Sequence, residues 1–319
     1  SGELKLYQGR FTDSLLSKHG MENCSPIKSV QMGPLPVEPD IPSEAGLREL
    51  QGYSGEFNWL ATRTRPDISY YTSVLASACT KHATWSLELA KKILRFLKGT
   101  KSKGLTITAQ GDEGRLDVWT DAGYAGTNTH SQSGLIVTWA GTIVVWRSSR
   151  QSVSALSTAE AELYSATLGW QIVEGLRHLI GNYGVKLSRL RVFVDNQAAL
   201  TIVKCGANWR TRYFAVRGHR LHEEHLRGAI ELLHCPTAGM VADALTKLAT
   251  GPVIEVLHDA MDGTLPEHPS DHAAYRVEDT LDSTADQSDD IVSASLCSNN
   301  SFIAQPDHSC PGSSQGGLS

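Results

Sequence analysis

The 319-residue chain has no run of 18 apolar residues, which argues against a helix able to span a bilayer. Its start, SGELKLYQGR, lacks the apolar stretch of a signal peptide. Six cysteines (Cys24, Cys79, Cys205, Cys235, Cys297, Cys310) include no C-x-x-C pair. Neither a zinc ribbon nor a secreted disulfide framework fits that scatter, so a reducing compartment is the simpler expectation. The chain begins at Ser1 rather than Met and is expected to be a piece of something longer. A basic excess is missing from the total, since the formal net charge is −5. That total hides an asymmetry. Residues 251–319 carry one arginine (Arg276) against 12 acids, leaving 28 basic against 22 acidic residues in 1–250. A basic body with an acidic tail is compatible with a nucleic-acid partner.

What is present divides by period. FTDSLLSKHG reads as a short helix, and GPLPVEPDIPSEAG, with four prolines, as a linker or exposed loop. Helices follow. RPDISYYTSVLASACT has Pro66 in its first turn, where a missing N–H does no harm. TWSLELAKKILRFLKGT lines up Leu87, Ala90, Ile93, Leu94 and Leu97, with Gly99 as the stop. From 105 the alternation becomes that of strands: LTIT, RLDVWT, then GLIVTW and TIVVWR about a tight turn at Ala140-Gly141. A helix is expected from Ser157 to about Tyr183. LRVFVD is an apolar strand, NQAALTIVK a helix capped by Asn196, RLHEEHLRG a helix, IELLHC a strand, and VADALTKLA a last helix. That order predicts an antiparallel hairpin feeding a parallel crossover in a mixed α/β sheet. Beyond 251 the composition turns to Ser, Asp, Asn and Gly, and most of it is expected to be disordered.

Three acids close elements. Asp121 ends LDVWT before a run of small residues, Asp195 ends LRVFV, and Asp243 sits in the first turn of VADALTK. Each has a plain alternative: a turn residue, a helix N-cap, a complement to a helix dipole. Together with a helical Glu they form an oxygen set suited to Mg²⁺. Two such ions serve phosphodiester cleavage. SALSTAEAELYSA offers two glutamates two positions apart, which a helix turns to different faces. Ser157 and Glu160 form a capping box, S-x-x-E. Glu162 continues at helical steps into Ala166, Gly169, Val173 and Leu176, a row for close packing on a sheet. Glu162 is therefore the one expected to face the strand ends, where a buried carboxylate needs a partner charge.

WTDAGYAG, LSTAEAELYSA, VFVDNQAAL and VADALTK resemble, in order, the ribonuclease H domain of copia-type LTR retrotransposon Pol polyproteins. LYQGRFTDSLLSKHGMENCSPIKS, RTRPDISYYTSVLA and AKKILRFLKGT look like the end of the reverse transcriptase region and its connection. The resemblance covers about residues 1–250. It implies an α/β, ribonuclease H-like fold: a mixed five-stranded sheet with flanking helices, preceded by a mostly helical segment. The parts would be a reverse transcriptase remnant with linker (1–48), a helical connection (49–110), the ribonuclease H-like domain (111–250) and an acidic disordered tail (251–319). It implies hydrolysis of RNA in RNA–DNA hybrids by a D-E-D-D set falling on Asp121, Glu162, Asp195 and Asp243, with two Mg²⁺ that Mn²⁺ can replace. Implied partners are the hybrid and the rest of the Pol polyprotein, with no membrane. Implied locations are a cytoplasmic virus-like particle or the nucleus.

The pattern departs in two places. Gly123 replaces the second acid of D-A-D-W-A-G, and K-H-I-D-I-R-Y-H becomes residues 212–219, keeping only the last His, His219. The polymerase motif Y-x-D-D is absent. The rival reading is an inactive relic that at most binds nucleic acid. An integrase-type nuclease would end its acids on a helical Glu, whereas here that Glu comes second. His219, His222 and His225 drift around a helix and match no zinc spacing. His219 is instead a candidate proton shuttle or a surface residue. Lys91, Arg95 and Lys98 are candidates for phosphate contacts or a solvated face. Asn196 and Gln197 are candidates for contacts to RNA 2′-hydroxyls, with capping the alternative for Asn196.

Overall fold

The structure is a computed structural model describing residues 2–108, 111–125, 130–205, 212–268 and 271, with the backbone alone at 212–217. Strand β1 (Glu3–Leu6) pairs antiparallel with β2 (Leu105–Thr108), so the first residues close against the end of the helical segment. Between them lie α1 (Gly9–Lys18), α2 (Glu44–Arg63), α3 (Ser69–Ala78) and α4 (Ala83–Gly99). Helix α2 starts where the Ser43 hydroxyl accepts the Gly46 N–H (3.2 Å). Pro66 opens a 3-10 turn, Pro66–Ile68, that leads into α3.

The main sheet takes β3 (Arg115–Gly123), β4 (Gln132–Trp139), β5 (Thr142–Arg150), β6 (Arg189–Val194) and β7 (Glu231–His234) in the order β5-β4-β3-β6-β7. Strands β3, β4 and β5 are antiparallel, and β6 and β7 run parallel to β3. Ala140 and Gly141 both have positive φ (50° and 82°), the geometry of a primed turn that follows strand twist. Helix α5 (Thr158–Asn182) crosses over from β5 to β6. Helices α6 (Gln197–Cys205) and α7 (Arg212–Leu226) join β6 to β7. This strand order and its mixed sense define a ribonuclease H-like sheet. The strand LTIT falls outside it, in the small ribbon with β1.

Alternation sends the two faces of the sheet to two cores. Leu116, Val118, Val192 and Val194 pack with Leu163, Ala166 and Val173 of α5 and Leu200 of α6. Trp119 and Phe193, stacked at 4.1 Å between ring centroids, face the opposite way. They share a core with Phe57, Leu60, Ile68 and Leu75 of the helical segment. The described residues all belong to one compact unit.

Two expectations are corrected here. VADALTKLA is not a helix but a 3-10 turn, Val241–Leu245. The tail does not begin at 251. Helix α8 (Gly251–Met261) places Ile254, Leu257, His258 and Met261 against the core at helical spacing, and Leu257 is fully buried. Burying each large apolar side chain contributes about 1.5–3 kcal/mol, enough to order a segment whose average composition looks polar. The disorder expected of residues 272–319 falls outside the described residues.

A buried ion pair ties α8 to the helical segment. Arg65 donates Nε to Asp67 Oδ1 (2.9 Å) and a second nitrogen to Oδ2 (2.8 Å). His258 Nε2 meets Asp67 Oδ2 at 2.9 Å, and Arg65 also reaches Thr100 Oγ1 (2.6 Å) at the end of α4. Burial would raise the Asp67 carboxyl, but the Arg65 charge and the His258 hydrogen bond overcome it and hold it well below the usual range. Asp67→Ala leaves a buried guanidinium unpaired. Urea unfolding of that variant is expected to show a loss of about 3–5 kcal/mol. A loss under about 1 kcal/mol would mean the pair does not join these elements.

Candidate metal centre

Four acids arrive at one end of the sheet from four elements. Asp121 lies near the carboxyl end of β3, in register with Gly134 of β4. Asp195 follows the last residue of β6. Glu162 occupies the start of α5, and Asp243 the 3-10 turn after β7. Asp121, Asp195 and Asp243 each offer an oxygen within 4.8 Å of the others. Asp121, Glu162 and Asp243 are buried, and Asp195 is half-buried.

Helical phase separates the two glutamates as expected. Ser157 Oγ accepts the Glu160 N–H (3.2 Å). The Glu160 carboxylate reaches back to the Leu156 N–H (2.7 Å), one residue beyond the capping-box partner. Glu162 turns inward, and its Oε1 accepts the Ala122 N–H (3.2 Å) beside Asp121. Gly169, two turns on, makes this approach possible: a Cβ there would lie 2.8 Å from Thr120 Cγ2 and 2.9 Å from Val118 Cγ1. Ser165 donates to the Asp121 carbonyl (2.8 Å), a further tie between α5 and β3.

The electrostatics are those of crowded like charges. Burial, then the charges of Asp121 and Asp195, push Glu162 up to about 9. Burial also raises Asp121, to about 6; the Thr246 hydrogen bond opposes the rise and the Asp243 charge adds to it. Asp195 is raised by burial and by Asp121. Glu162 Oε2 and Asp243 Oδ1 are buried without a hydrogen-bond partner. Acceptor oxygens left bare among several carboxylates fit a site able to take a cation. All ligand atoms are carboxylate oxygens, so the set fits a hard ion such as Mg²⁺.

Two contributors were not singled out from the sequence. Lys247 Nζ lies 2.7 Å from Asp243 Oδ2. Burial works against its charge, but the hydrogen bond and charge of Asp243 outweigh it and raise its pKa. Thr246 donates its hydroxyl to Asp121 Oδ2. Both follow Asp243 at i+3 and i+4, a spacing that was readable within VADALTK. The loss of the second acid at Gly123 also gains a physical reason: a Cβ there would lie 2.5 Å from the Thr246 carbonyl oxygen.

Other candidate residues lie elsewhere. His219 is exposed and pairs with Glu223 (3.4 Å), outside the group of three aspartates. His222 meets the Val203 carbonyl (2.6 Å) and His225 the Ile230 carbonyl (3.5 Å), so the three histidines have three separate partners. Asn196 caps α6, its Oδ1 accepting the Ala199 N–H (3.0 Å), and Gln197 beside it is exposed. The basic stripe on α4 makes contacts within the chain. Arg95 donates to the Ser25 carbonyl (2.8 Å), and Lys98 to the carbonyls of Glu22 (2.5 Å) and Cys24 (2.7 Å). These two cations hold the chain's own loop, and only Lys91 stays exposed. The side chains of 212–217, in the altered stretch before His219, lie outside the described residues.

No family model matches the chain. Its curated relatives are Pol polyproteins of copia-type retrotransposons, at modest identity. The Pol polyprotein of transposon TNT 1-94 from Nicotiana tabacum is 29% identical over 258 residues, covering 78% of this chain and 19% of that polyprotein. That of transposon RE1 from Arabidopsis thaliana is 27% identical, covering 76% and 17%. The Ty1-DR6 Gag-Pol polyprotein of Saccharomyces cerevisiae is 23% identical, covering 77% and 15%. The chain thus spans less than a fifth of the relatives' length. Among solved structures, LC11-RNase H1 from compost aligns at 15% identity over 42% of this chain and 93% of its own, with a TM-score of 0.34. The N-terminal ribonuclease H domain of a Mycobacterium tuberculosis protein aligns at 15% identity over 46% and 97%, with a TM-score of 0.31. The fold assignment rests on the strand order and senses described above.

Glu162 gives a pH test. Its folded pKa lies above the ordinary value near 4.5, so from about pH 4.5 to 9 the unfolded chain has lost a proton that the folded protein keeps. Stability contributed by this group is present at low pH and is lost as pH rises through that window, by up to about 1.4 kcal/mol per pH unit. In EDTA, Glu162→Gln is expected to melt progressively above wild type from pH 5 to pH 8. A gap that stays constant over that range would contradict the crowded-carboxylate geometry.

Proposed function

We propose that this chain is the ribonuclease H part of a retrotransposon Pol polyprotein and hydrolyses the RNA strand of RNA–DNA hybrids. The observation that carries this reading is the convergence of Asp121, Glu162, Asp195 and Asp243, with two of their buried oxygens bare. These residues would hold two Mg²⁺, or Mn²⁺ in substitution, which when bound supply Lewis-acid stabilisation to phosphoryl oxygens and lower the pKa of water.

The chain's own residues do the rest. Ala122 orients Glu162 through its backbone N–H, and Thr246 orients Asp121. Burial of Asp121 and Asp243 keeps bulk water from screening the site. Lys247, paired to Asp243 and 48% exposed, offsets part of the negative charge and would lie within the solvent-facing rim of the site. Gln197, exposed next to Asp195 at the start of α6, is the better placed candidate for a 2′-hydroxyl contact, because Asn196 has committed its oxygen to the cap. His219 has no part in this proposal. The partners in this reading are the hybrid and the rest of the polyprotein, in a cytoplasmic virus-like particle or the nucleus. No described helix is long and apolar enough to cross a membrane.

Incubation with a labelled RNA–DNA hybrid and Mg²⁺ is expected to give RNA cleavage. Asp195→Asn, which retains shape but removes the charge, is expected to reduce the rate by about 100-fold or more. The absence of cleavage by the parent chain in both Mg²⁺ and Mn²⁺ would favour an inactive relic.

A further inference from the structure

Asp195 stands apart among the four acids. Thr246 holds Asp121, the Ala122 N–H holds Glu162 and Lys247 holds Asp243. Asp195 is half-buried, just past the end of β6. Its neighbour Asn196 has committed its side chain to the cap of α6. To meet a cation together with the other three, the Asp195 carboxylate needs a holder of its own.

The loop after β7 supplies one. Thr237 donates its hydroxyl to Asp195 Oδ2 (3.3 Å). His234, the last residue of β7, brings Nε2 to the Asp195 carbonyl (3.1 Å). A carbonyl only accepts, so this Nε2 carries the proton. One short segment thus grips both the backbone and the side chain of Asp195.

A cavity of about 300 Å³ adjoins that segment, lined by Trp119, His234, Cys235, Gly239, Pro266 and His268 among others. Where a void borders the loop, hydrogen bonds rather than close packing fix it. His268 donates from Nε2 to the His234 carbonyl (3.1 Å), and its ring stands edge-on to Phe193, 5.3 Å between centroids. The backbone N–H of His268 is donated to Asp271 Oδ2 (3.0 Å). Arg191, fully buried, donates to Asp271 Oδ1 (2.6 Å). Arg191 lies on β6, the strand that Asp195 follows. The contacts therefore run from β6 through Asp271, His268 and His234 back to the end of β6, as a closed brace.

We infer that Thr237 and His234 are positioning residues for Asp195, and that His268, beyond the ribonuclease H-like region expected from the sequence, acts on the carboxylate site through His234. Each of the three sets the place of a metal ligand. The inference rests on the proposed reading of the four acids as a metal site.

The test uses the whole chain, with Mn²⁺ binding followed by electron paramagnetic resonance and hybrid cleavage followed over a Mg²⁺ series. Thr237 is exposed, so its replacement spares the core. Thr237→Val is expected to weaken Mn²⁺ binding about tenfold, the usual scale for a group that orients a metal ligand, and Thr237→Ser to restore it. His268→Phe keeps a ring against Phe193 but loses the donor, and is expected to weaken Mn²⁺ binding severalfold. His268→Gln, which can donate from a similar position, is expected to recover most of that loss. In cleavage, the weakened variants are expected to need more Mg²⁺ for half-maximal rate at an unchanged KM for the hybrid. If the parent chain binds Mn²⁺ and Thr237→Val and His268→Phe bind it as tightly, the brace does not position Asp195 and the metal site stands. Equal losses in His268→Phe and His268→Gln would also overturn the inference, as would a raised KM at unchanged metal dependence. If the parent chain binds no Mn²⁺, the metal-site reading falls and takes the inference with it.

Discussion

Carboxylates within a few ångströms of one another, out of water, cannot all ionise without a counter-charge. At an effective dielectric constant of about 20, two unit charges some 5 Å apart repel by about 3–4 kcal/mol. The fold assembles Asp121, Asp195 and Asp243 at that spacing and adds Glu162, with Lys247 as a cation paired to Asp243. The surrounding architecture can be understood as what holds these groups in place against their repulsion. Gly169 lets α5 approach β3, and Ser165 pins the Asp121 carbonyl. Thr246 draws the 3-10 turn onto the Asp121 carboxylate. A site that destabilises the metal-free fold and is nevertheless so firmly built is better explained by use than by accident.

The sheet can carry this strain because it is covered on both faces. One cover is α5 with α6, within the ribonuclease H-like region. The other is the helical segment together with α8, which come from opposite ends of the described chain and meet at the Arg65–Asp67–His258 network. Trp119 and Phe193 depend on that second cover, since their stacked rings would otherwise leave a large apolar surface in water. The helical segment is thus half of the sheet's packing rather than a linker to it.

How much of this could be read in the sequence depended on the range of the interaction. Strands β3 to β6, the primed turn at Ala140-Gly141 and the Ser157 cap are set by short-range pattern and were legible. The division of labour between Glu160 and Glu162 was legible for the same reason: helical phase is local. Elements governed by long-range partners were not. VADALTK has a helical pattern, yet it forms a 3-10 turn whose following residue, Thr246, bonds to the distant Asp121. Helix α8 carried its signal in Ile254, Leu257, His258 and Met261, but that signal was averaged away by the acidic, serine-rich stretch that follows. Arg95 and Lys98 had the spacing of a phosphate-binding stripe, and nothing in sequence shows that the loop at 22–25 lies under them.

Gly123 shows how a local departure and a distant contact can be one fact. Taken alone, the loss of an acid beside Asp121 suggests a weakened site. In the folded chain that position faces the Thr246 carbonyl so closely that no Cβ fits. The space that a side chain would fill is filled by the turn bearing Asp243, and the same approach brings the Thr246 hydroxyl to Asp121. Gly134, next to Asp121 on β4, repeats the constraint: a Cβ there would lie 2.6 Å from Thr246 Cγ2. Two glycines on adjacent strands therefore form the seat for one threonine. The turn that seat fixes delivers the fourth acid, Asp243, to the end of β3.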